Sequence, residues 1–470
     1  MNISKTMIAA MMAVLMMITT SCDKDDDNKP EEQQENPEQP NPEQPTPGRQ
    51  AYEPQNVEAV NAATISKKLG FPNDGSISQV LYSDQFKAFA AKVAKFANNA
   101  AVKIGVNDDK NTAVSPISIF MALAMSAECA NGDTRQELLD AMGVTYDELH
   151  ANIQALCYDF NKVLYWNSDG TAENYIKSVN SLWVRNDLTN AMKDDGIKAL
   201  NNYYHSDLMK MDFETTDVNE IIKSYLSNET NGLLKPKFDY DAETAILLMN
   251  VIYLSEIWNE YGDDLPLTAD KYDFLCYNQS KVNTQLLKGA YNSGRAVETE
   301  KFRKFKTSTN RGLQLTFFVP KDGYTLDDIY TSDILNDPTP YVCEDKAAKK
   351  RYFTRCFFPA FEAEYNKDIK KTIEGMGVKK FFGECDFSNL TDHQVSCASI
   401  NHVTKLEVAR KGIEGAAVTI VAMKEGANGG PYEEDDWEDV YEDFIVDRNF
   451  AYVLSMDGVP VFTGVVKSIK

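Results

Sequence analysis

The stretch Ile400-Asn-His-Val-Thr-Lys-Leu-Glu-Val-Ala-Arg-Lys-Gly-Ile-Glu-Gly-Ala-Ala-Val-Thr-Ile-Val-Ala-Met-Lys424 decides how this chain is read. Residues 403–408 have the composition of a β-strand. Starting at Gly412, one parity holds Ile413, Gly415, Ala417, Thr419, Val421 and Met423, none of them charged. The other parity holds Glu414, Ala416, Val418, Ile420, Ala422 and Lys424, with charges only at its ends. No proline occurs before Pro431, so every backbone N–H from 401 onward is available to a ladder. Such a run suits the middle of a sheet. At about 3.3 Å per residue, 412–424 would make a strand of roughly 40 Å. Periodicity alone leaves a second reading open, a flexible surface loop with a run of small residues.

On both sides of this stretch the chain carries further strand patterns, with helical ones toward its N-terminus. Residues 451–456 and 459–466 are strand-like and joined by Asp457-Gly458, a two-residue hairpin signal. Upstream, further strands are expected at 178–184, 245–254, 313–319 and 354–363. Phe86, Phe89, Ala90, Val93 and Phe96 recur at helical spacing in 83–97. Ser115-Pro116 supplies an N-cap and a first-turn proline for a helix over 117–130, apolar nearly all round and therefore central. Thr134 and Glu137 have capping-box spacing for a short helix that Gly143 ends. Helices dominate the first part and strands the second, which points to an α+β fold with largely antiparallel sheets.

The chain has 470 residues, 43% of them hydrophobic, enough for one large core. Its net charge of −23 excludes nucleic acid as a partner. Residues 7–18 form an apolar run too short to span a membrane but suited to a signal peptide. Thr19, Thr20 and Ser21 lead into Cys22 in a pattern that resembles a bacterial lipobox, with Cys22 as the lipidated residue. The acidic stretch 23–27 is similar to surface-export tags of some Gram-negative lipoproteins, so the expected location is the outer membrane, facing outward. A Pro/Glu/Gln/Asn-rich spacer follows, with Asn36-Pro-Glu-Gln-Pro40 repeated as Asn41-Pro-Glu-Gln-Pro45. The expected organisation is a signal peptide at 1–21, a lipidated spacer at 22–56 and one domain at 57–470. Seven further cysteines, an odd number with no C-x-x-C pair, point to free thiols. Four histidines without metal-ligand spacing leave no metal site or cofactor to expect. The sequence also lacks G-x-S-x-G, H-E-x-x-H and a phosphate-binding glycine loop, so no enzyme activity is expected.

Five segments in order carry a family resemblance. They are Asn111-Thr-Ala-Val-Ser-Pro-Ile-Ser-Ile-Phe-Met-Ala-Leu-Ala-Met125 with Gly132-Asp-Thr-Arg-Gln-Glu-Leu138; Ile222-Lys-Ser-Tyr-Leu-Ser-Asn-Glu-Thr-Asn-Gly-Leu-Leu234; and Leu248-Met-Asn-Val-Ile-Tyr-Leu-Ser-Glu-Ile-Trp258. Gly375-Met-Gly-Val378 with Asp386-Phe-Ser-Asn-Leu390, and the opening stretch through Ala417, complete the set. Together they resemble the serpins. The resemblance implies helices packed around antiparallel sheets, with an exposed reactive-centre loop at about 412–446. It also implies a monomeric suicide inhibitor of serine, and some cysteine, endopeptidases. A protease cleaves the loop, forms an acyl-enzyme and is dragged along as the loop enters the main sheet as a strand. A serpin-fold surface binding protein without inhibition is the alternative.

The resemblance also assigns residues. The hinge comprises Gly412, Ile413, Glu414, Gly415, Ala416, Ala417, Val418 and Thr419. Arg410, Ile413 and Gly415 depart from the usual inhibitory pattern of an acidic residue, a small polar residue and alanine. Cleavage candidates are Met423 for elastase-like or subtilisin-like proteases, Lys424 for trypsin-like ones, Glu425 and Gly426. Ser115, Ser118, Asn250 and His402 are placed in the shutter beneath the sheet, and Trp258 in the breach at its top. The acidic run 429–443 exceeds the family spacing. It reads either as a disordered lengthening or as an acidic arm, anchored by Trp437 and Tyr441, that recruits a basic protease or a cofactor.

Overall fold

In the computed structural model the chain is described over residues 54–470, apart from 73–74, 106–109, 162, 167–171, 215–217, 231–243, 259–263, 311, 398–399 and 415–435. The N-terminal half forms α1 (Val57–Ala63), β1 (Thr64–Ser66), α2 (Ser76–Leu81), α3 (Asp84–Gly105), β2 (Thr112–Val114), α4 (Pro116–Cys129), α5 (Gly132–Met142) and α6 (Tyr146–Asp159). Next come β3 (Val163–Trp166), β4 (Ala172–Arg185), α7 (Asp194–Tyr203), β5 (Ser206–Met211), α8 (Val218–Glu229) and β6 (Ile246–Ile257). Strands dominate thereafter: β7 (Tyr272–Leu275), β8 (Lys281–Thr284), β9 (Leu287–Ser293), β10 (Val297–Glu298), β11 (Phe302–Ser308) and β12 (Gln314–Pro320). After α9 (Leu326–Ile329) and α10 (Ser332–Leu335) come β13 (Glu344–Asp345), β14 (Lys350–Phe358), β15 (Phe361–Asp368) and α11 (Lys370–Glu374). The chain closes with β16 (Asn401–Val408), β17 (Gly412–Glu414), β18 (Glu438–Ile445), β19 (Phe450–Met456) and β20 (Val459–Val466).

Local chemistry explains the central helix. Pro116 occupies its first turn, where the missing N–H costs nothing, and α4 is buried along nearly its whole length. It lies against one face of the main sheet, whose order is β1-β5-β4-β6-β17-β16-β15 with β3 on β4. The opposite face of β4 to β6 packs Val179, Trp183, Met209 and Met249 against Val218, Ile222 and Leu226 of α8. Covered on both faces, β6 is an almost continuous apolar run rather than an alternating one. A second antiparallel sheet runs β10-β11-β12-β19-β20-β2, and a third joins β13, β9 and β18 to β14. Asp457 and Gly458 take φ of 49° and 83°, the turn that matches strand twist between β19 and β20.

Two local expectations give way to tertiary contacts. The helix expected to be capped by Thr134 starts earlier, at Gly132, so Thr134 lies inside its first turn. Thr134 Oγ1 instead accepts the Asp386 N–H at 3.0 Å, and Glu137 accepts the Lys379 and Lys380 N–H groups at 2.6 and 2.7 Å. The capping box sits one helix later, between Thr145 and Glu148 of α6. The strand expected over 354–363 is two strands in different sheets, because the chain turns at Pro359 between β14 and β15. Cys129, Cys157, Cys276, Cys356 and Cys385 are buried free thiols, while Cys343 is exposed.

β20 crosses β2 so closely that a Cβ on Gly464 would lie 1.8 Å from the Thr112 carbonyl oxygen and 2.9 Å from the Tyr452 hydroxyl. That hydroxyl donates to the same carbonyl at 3.0 Å. Gly464→Ala should therefore destabilise the fold by about 3 kcal/mol, read as a lower urea midpoint with an unchanged slope.

Candidate functional site

The main sheet is interrupted in its middle. After β16 the chain turns at 409–412, where the Ala409 N–H donates to the Gly412 carbonyl at 3.0 Å, and returns as β17. Ile413 pairs with Val408 and Glu414 with Glu407 on one edge. On the other edge Gly412, Ile413 and Glu414 pair with Ile257, Glu256 and Ser255 of β6. This three-residue wedge needs its glycine, since a Cβ at Gly412 would stand 2.0 Å from the Glu256 carbonyl oxygen. Ile413, bulky by the family's standard, is fully buried in the main core. Below the wedge, β6 over 246–254 pairs only with β4, and β16 over 401–406 only with β15, among the described residues. At the level of the wedge, one strand separates the two facing edges; below it, the stretch between them is the slot.

The start of α4 ties both edges of that slot from beneath. Ser118 Oγ donates to the Asn250 carbonyl of β6 at 2.9 Å. The Ser115 N–H donates to His402 Nε2 of β16 at 3.0 Å, so the neutral ring carries its proton on Nδ1. Thr404 Oγ1 donates to the Ala113 carbonyl. Asn250 Nδ2 donates to Ser178 Oγ at 2.8 Å and to Asn180 Oδ1 at 2.6 Å. Ser178, Asn180 and Thr404 were not singled out from the sequence. The signal for the first two was a pair of polar residues two apart, and so on one face of a strand. Ser115 Oγ and Asn250 Oδ1 are buried without a hydrogen-bond partner among the described residues.

At the top of the slot Trp258 Nε1 donates to the Ala409 carbonyl at 2.7 Å, and its ring packs edge-on against Phe358 at 5.4 Å. Arg410, where an acidic residue is usual, pairs with Asp264 at 3.5 Å and donates from Nε to the Leu265 carbonyl. The expected hinge is therefore divided. Gly412, Ile413 and Glu414 are strand, while Gly415, Ala416, Ala417, Val418, Thr419 and the cleavage candidates Met423, Lys424, Glu425 and Gly426 lie outside the described residues. Cys22 lies outside them too.

The far end of the expected loop is corrected. Over 438–443 the acidic run is neither a disordered lengthening nor a free arm; it belongs to β18, paired in parallel with β14. The reason is charge. Glu438 pairs with Lys350 at 3.3 Å, Asp439 with Arg351 at 2.7 Å, Asp443 with Arg355 at 3.6 Å and Glu442 with Arg295 at 2.8 Å. The segment between β17 and β18 is correspondingly shorter than 412–446.

Burial drives the His402 pKa down to about 3, so the folded protein keeps this ring neutral where an unfolded chain would bind a proton. Stability from this group is complete above pH 6.5 and falls as pH drops from there toward 3. His402→Gln keeps an acceptor for Ser115 but does not titrate. Between pH 7 and 4 it should lose less stability than the native chain, by about 3 kcal/mol, in urea unfolding at each pH.

The comparisons agree with this geometry. The family model described as Serpin (serine protease inhibitor) matches residues 91–469. Neuroserpin of Homo sapiens is 23% identical over 393 residues, covering 77% of this chain and 88% of that protein. The crystal structure of the thermophilic serpin tengpin in its native state superposes with a TM-score of 0.63 at 17% identity, covering 87% of this chain and 98% of that one. Thyroxine-binding globulin in complex with thyroxine gives 0.62 at 19% identity, covering 81% and 99%. With a family model spanning most of its length and the same α+β architecture, the chain belongs to the serpin (serine protease inhibitor) family.

Proposed function

We propose that this chain is an exported, lipid-anchored serpin that inhibits serine endopeptidases by cleavage and insertion of the loop after β17. The observation that carries the reading is the wedge of Gly412, Ile413 and Glu414 at the mouth of the slot between β6 and β16. A strand already started at the top needs only to continue downward, and the proline-free, small-residue run 415–424 is suited to do so. The target's serine oxygen would bond to the carbonyl carbon of the cleaved residue, and the peptide nitrogen would take up the serine's proton and leave as an amine. The N-terminal half of the loop is then free to pair with both facing edges. Ser115 Oγ and Asn250 Oδ1, buried without a partner among the described residues, support the reading, since each such group costs about 1–3 kcal/mol until a partner arrives. Met423 and Lys424 favour elastase-like, subtilisin-like or trypsin-like targets. Anchoring rests on the signal-like run 7–18, Cys22 and the spacer that follows.

Incubation with trypsin-like, elastase-like, subtilisin-like and papain-like proteases should give a covalent complex that survives SDS with at least one of them. Ala417→Pro removes a ladder N–H from the entering strand, so it should abolish the complex while the loop is still cut. Clean cleavage of the native chain by every protease, with no complex and no gain in thermal stability, would leave a serpin-fold binding protein instead. For the anchor, Cys22→Ser should move the protein from the membrane fraction to the soluble one when cells are fractionated. Retention in the membrane fraction would rule the lipid out.

A further inference from the structure

Loop insertion makes no use of the cysteines, and two of them converge where α4 ends. Cys129 is the last residue of that helix and is fully buried, and Cys385 is buried as well; both belong to the main core. Hydrogen bonds hold their two segments side by side. The Asn131 N–H donates to the Asp386 carbonyl at 2.9 Å, and Thr134 Oγ1 accepts the Asp386 N–H at 3.0 Å. Asn389 Nδ2 donates to the Glu128 carbonyl at 3.3 Å. The two thiols are near enough to act on each other: after burial and the Glu128 carboxylate, Cys385 helps to push the Cys129 thiol up. Two other thiols of this region are worse placed. Cys157 Sγ lies 3.9 Å from Met121 Sδ, and Met121 is eight residues, about 12 Å along α4, from Cys129. Cys397 lies two residues beyond Val395, the residue that bridges Cys385. Such a diagonal spans about 7–8 Å, too far for an S–S bond.

We propose that Cys129 and Cys385 are a disulfide site, closed while the exported chain folds. The setting rests on the export reading of residues 1–22, since exported chains meet oxidants that cytosolic ones do not. The oxidant is the disulfide of an exported thiol oxidoreductase. The thiolate of one cysteine attacks it to give a mixed disulfide, and the second cysteine then displaces the carrier. The two cysteines lose two electrons and two protons, the Sγ–Sγ bond forms, and the carrier's disulfide becomes two thiols. Timing follows from burial. In the folded domain burial pushes the Cys385 thiol up to about 12 and raises Cys129 as well, so neither supplies thiolate at neutral pH. The exchange therefore belongs to folding, before the core closes. The bond would staple the far end of α4 to the segment that leads into β16, one of the two edges of the slot. It would close residues 129–385 into one loop, and long loops gain most from closure.

The test is thiol mapping of the full chain isolated from the cell envelope, quenched in acid and then unfolded in urea with N-ethylmaleimide. Of the seven cysteines after Cys22, all but Cys129 and Cys385 should take the label, and these two only after reduction. Reduction should lower the melting temperature of the native chain by about 5 °C and leave that of a Cys385→Ala variant unchanged. Should that variant fail to fold, Cys129→Ala serves the same comparison. If the chain stays in the cytoplasm, the export reading fails, and the site is judged by refolding the urea-unfolded chain with oxidised glutathione. A linked Cys129–Cys385 peptide pair there supports the site without export. Seven labelled cysteines in the exported chain, or after that refolding, overturn it. So does a Cys385–Cys397 pair in place of the proposed one.

Discussion

Every buried backbone N–H and C=O must find a partner, and among the described residues the middle of the main sheet is where that requirement is left open. β4 and β15 satisfy the outer edges of β6 and β16, and β17 satisfies only the uppermost part of the inner ones. The rest of the molecule is arranged around that opening. α4 lies beneath it, bonded to one edge through Ser118 and to the other through Ser115. Trp258 and Arg410 hold the turn above it. The bonds from below run from side chain or N-cap to strand, so they need not break in concert when the edges shift. A neutral His402 is part of that arrangement: a ring forced to charge there would lose its role as acceptor for Ser115.

Much of the fold was legible because local chemistry decided it. Pro116 marks the start of α4, and Asp457-Gly458 can adopt the positive φ values of a hairpin turn. The α+β class followed from the change of period along the chain. Misreadings arose where a local signal was used for a distant purpose. Thr134 and Glu137 have capping-box spacing, yet their oxygens accept from backbone N–H groups more than 240 residues away. In 354–363 the strand composition is continuous, and Pro359 alone hints that two sheets share it.

The site divides in the same way. Ser115, Ser118, Asn250 and His402 were named through family resemblance, not through any periodicity, since each reads as an ordinary cap or core polar residue by itself. What the resemblance could not supply was β18. Its acids and the bases of β14 stand 88 residues apart, and no window of local sequence holds both. Charge complementarity between 349–355 and 436–443 was present all along, but it identifies a pair only once the register Arg351↔Asp439 is known. An acidic run is solvated when it lacks a partner. Here the basic strand is that partner, and the run becomes an edge strand.

That placement bears on how the loop is restrained. One end is held in the slot by β17 and the other by three ion pairs to β14 and a fourth to Arg295, most of them partly exposed and each worth little alone. Suppose residues up to Lys424 entered the slot without cleavage. A strand of about 40 Å would carry Lys424 to its foot, and fourteen residue steps would have to return to Glu438. Their full reach is about 48 Å, so the return path would be stretched nearly straight, with almost all its conformational entropy lost. The alternative is to strip β18 from β14, breaking the ion pairs together with the parallel ladder. Under the proposed mechanism, cleavage between 423 and 427 would remove this choice, because the entering strand would no longer have to be reeled back. The acidic strand β18, held against β14, would thus oppose insertion of an uncut chain.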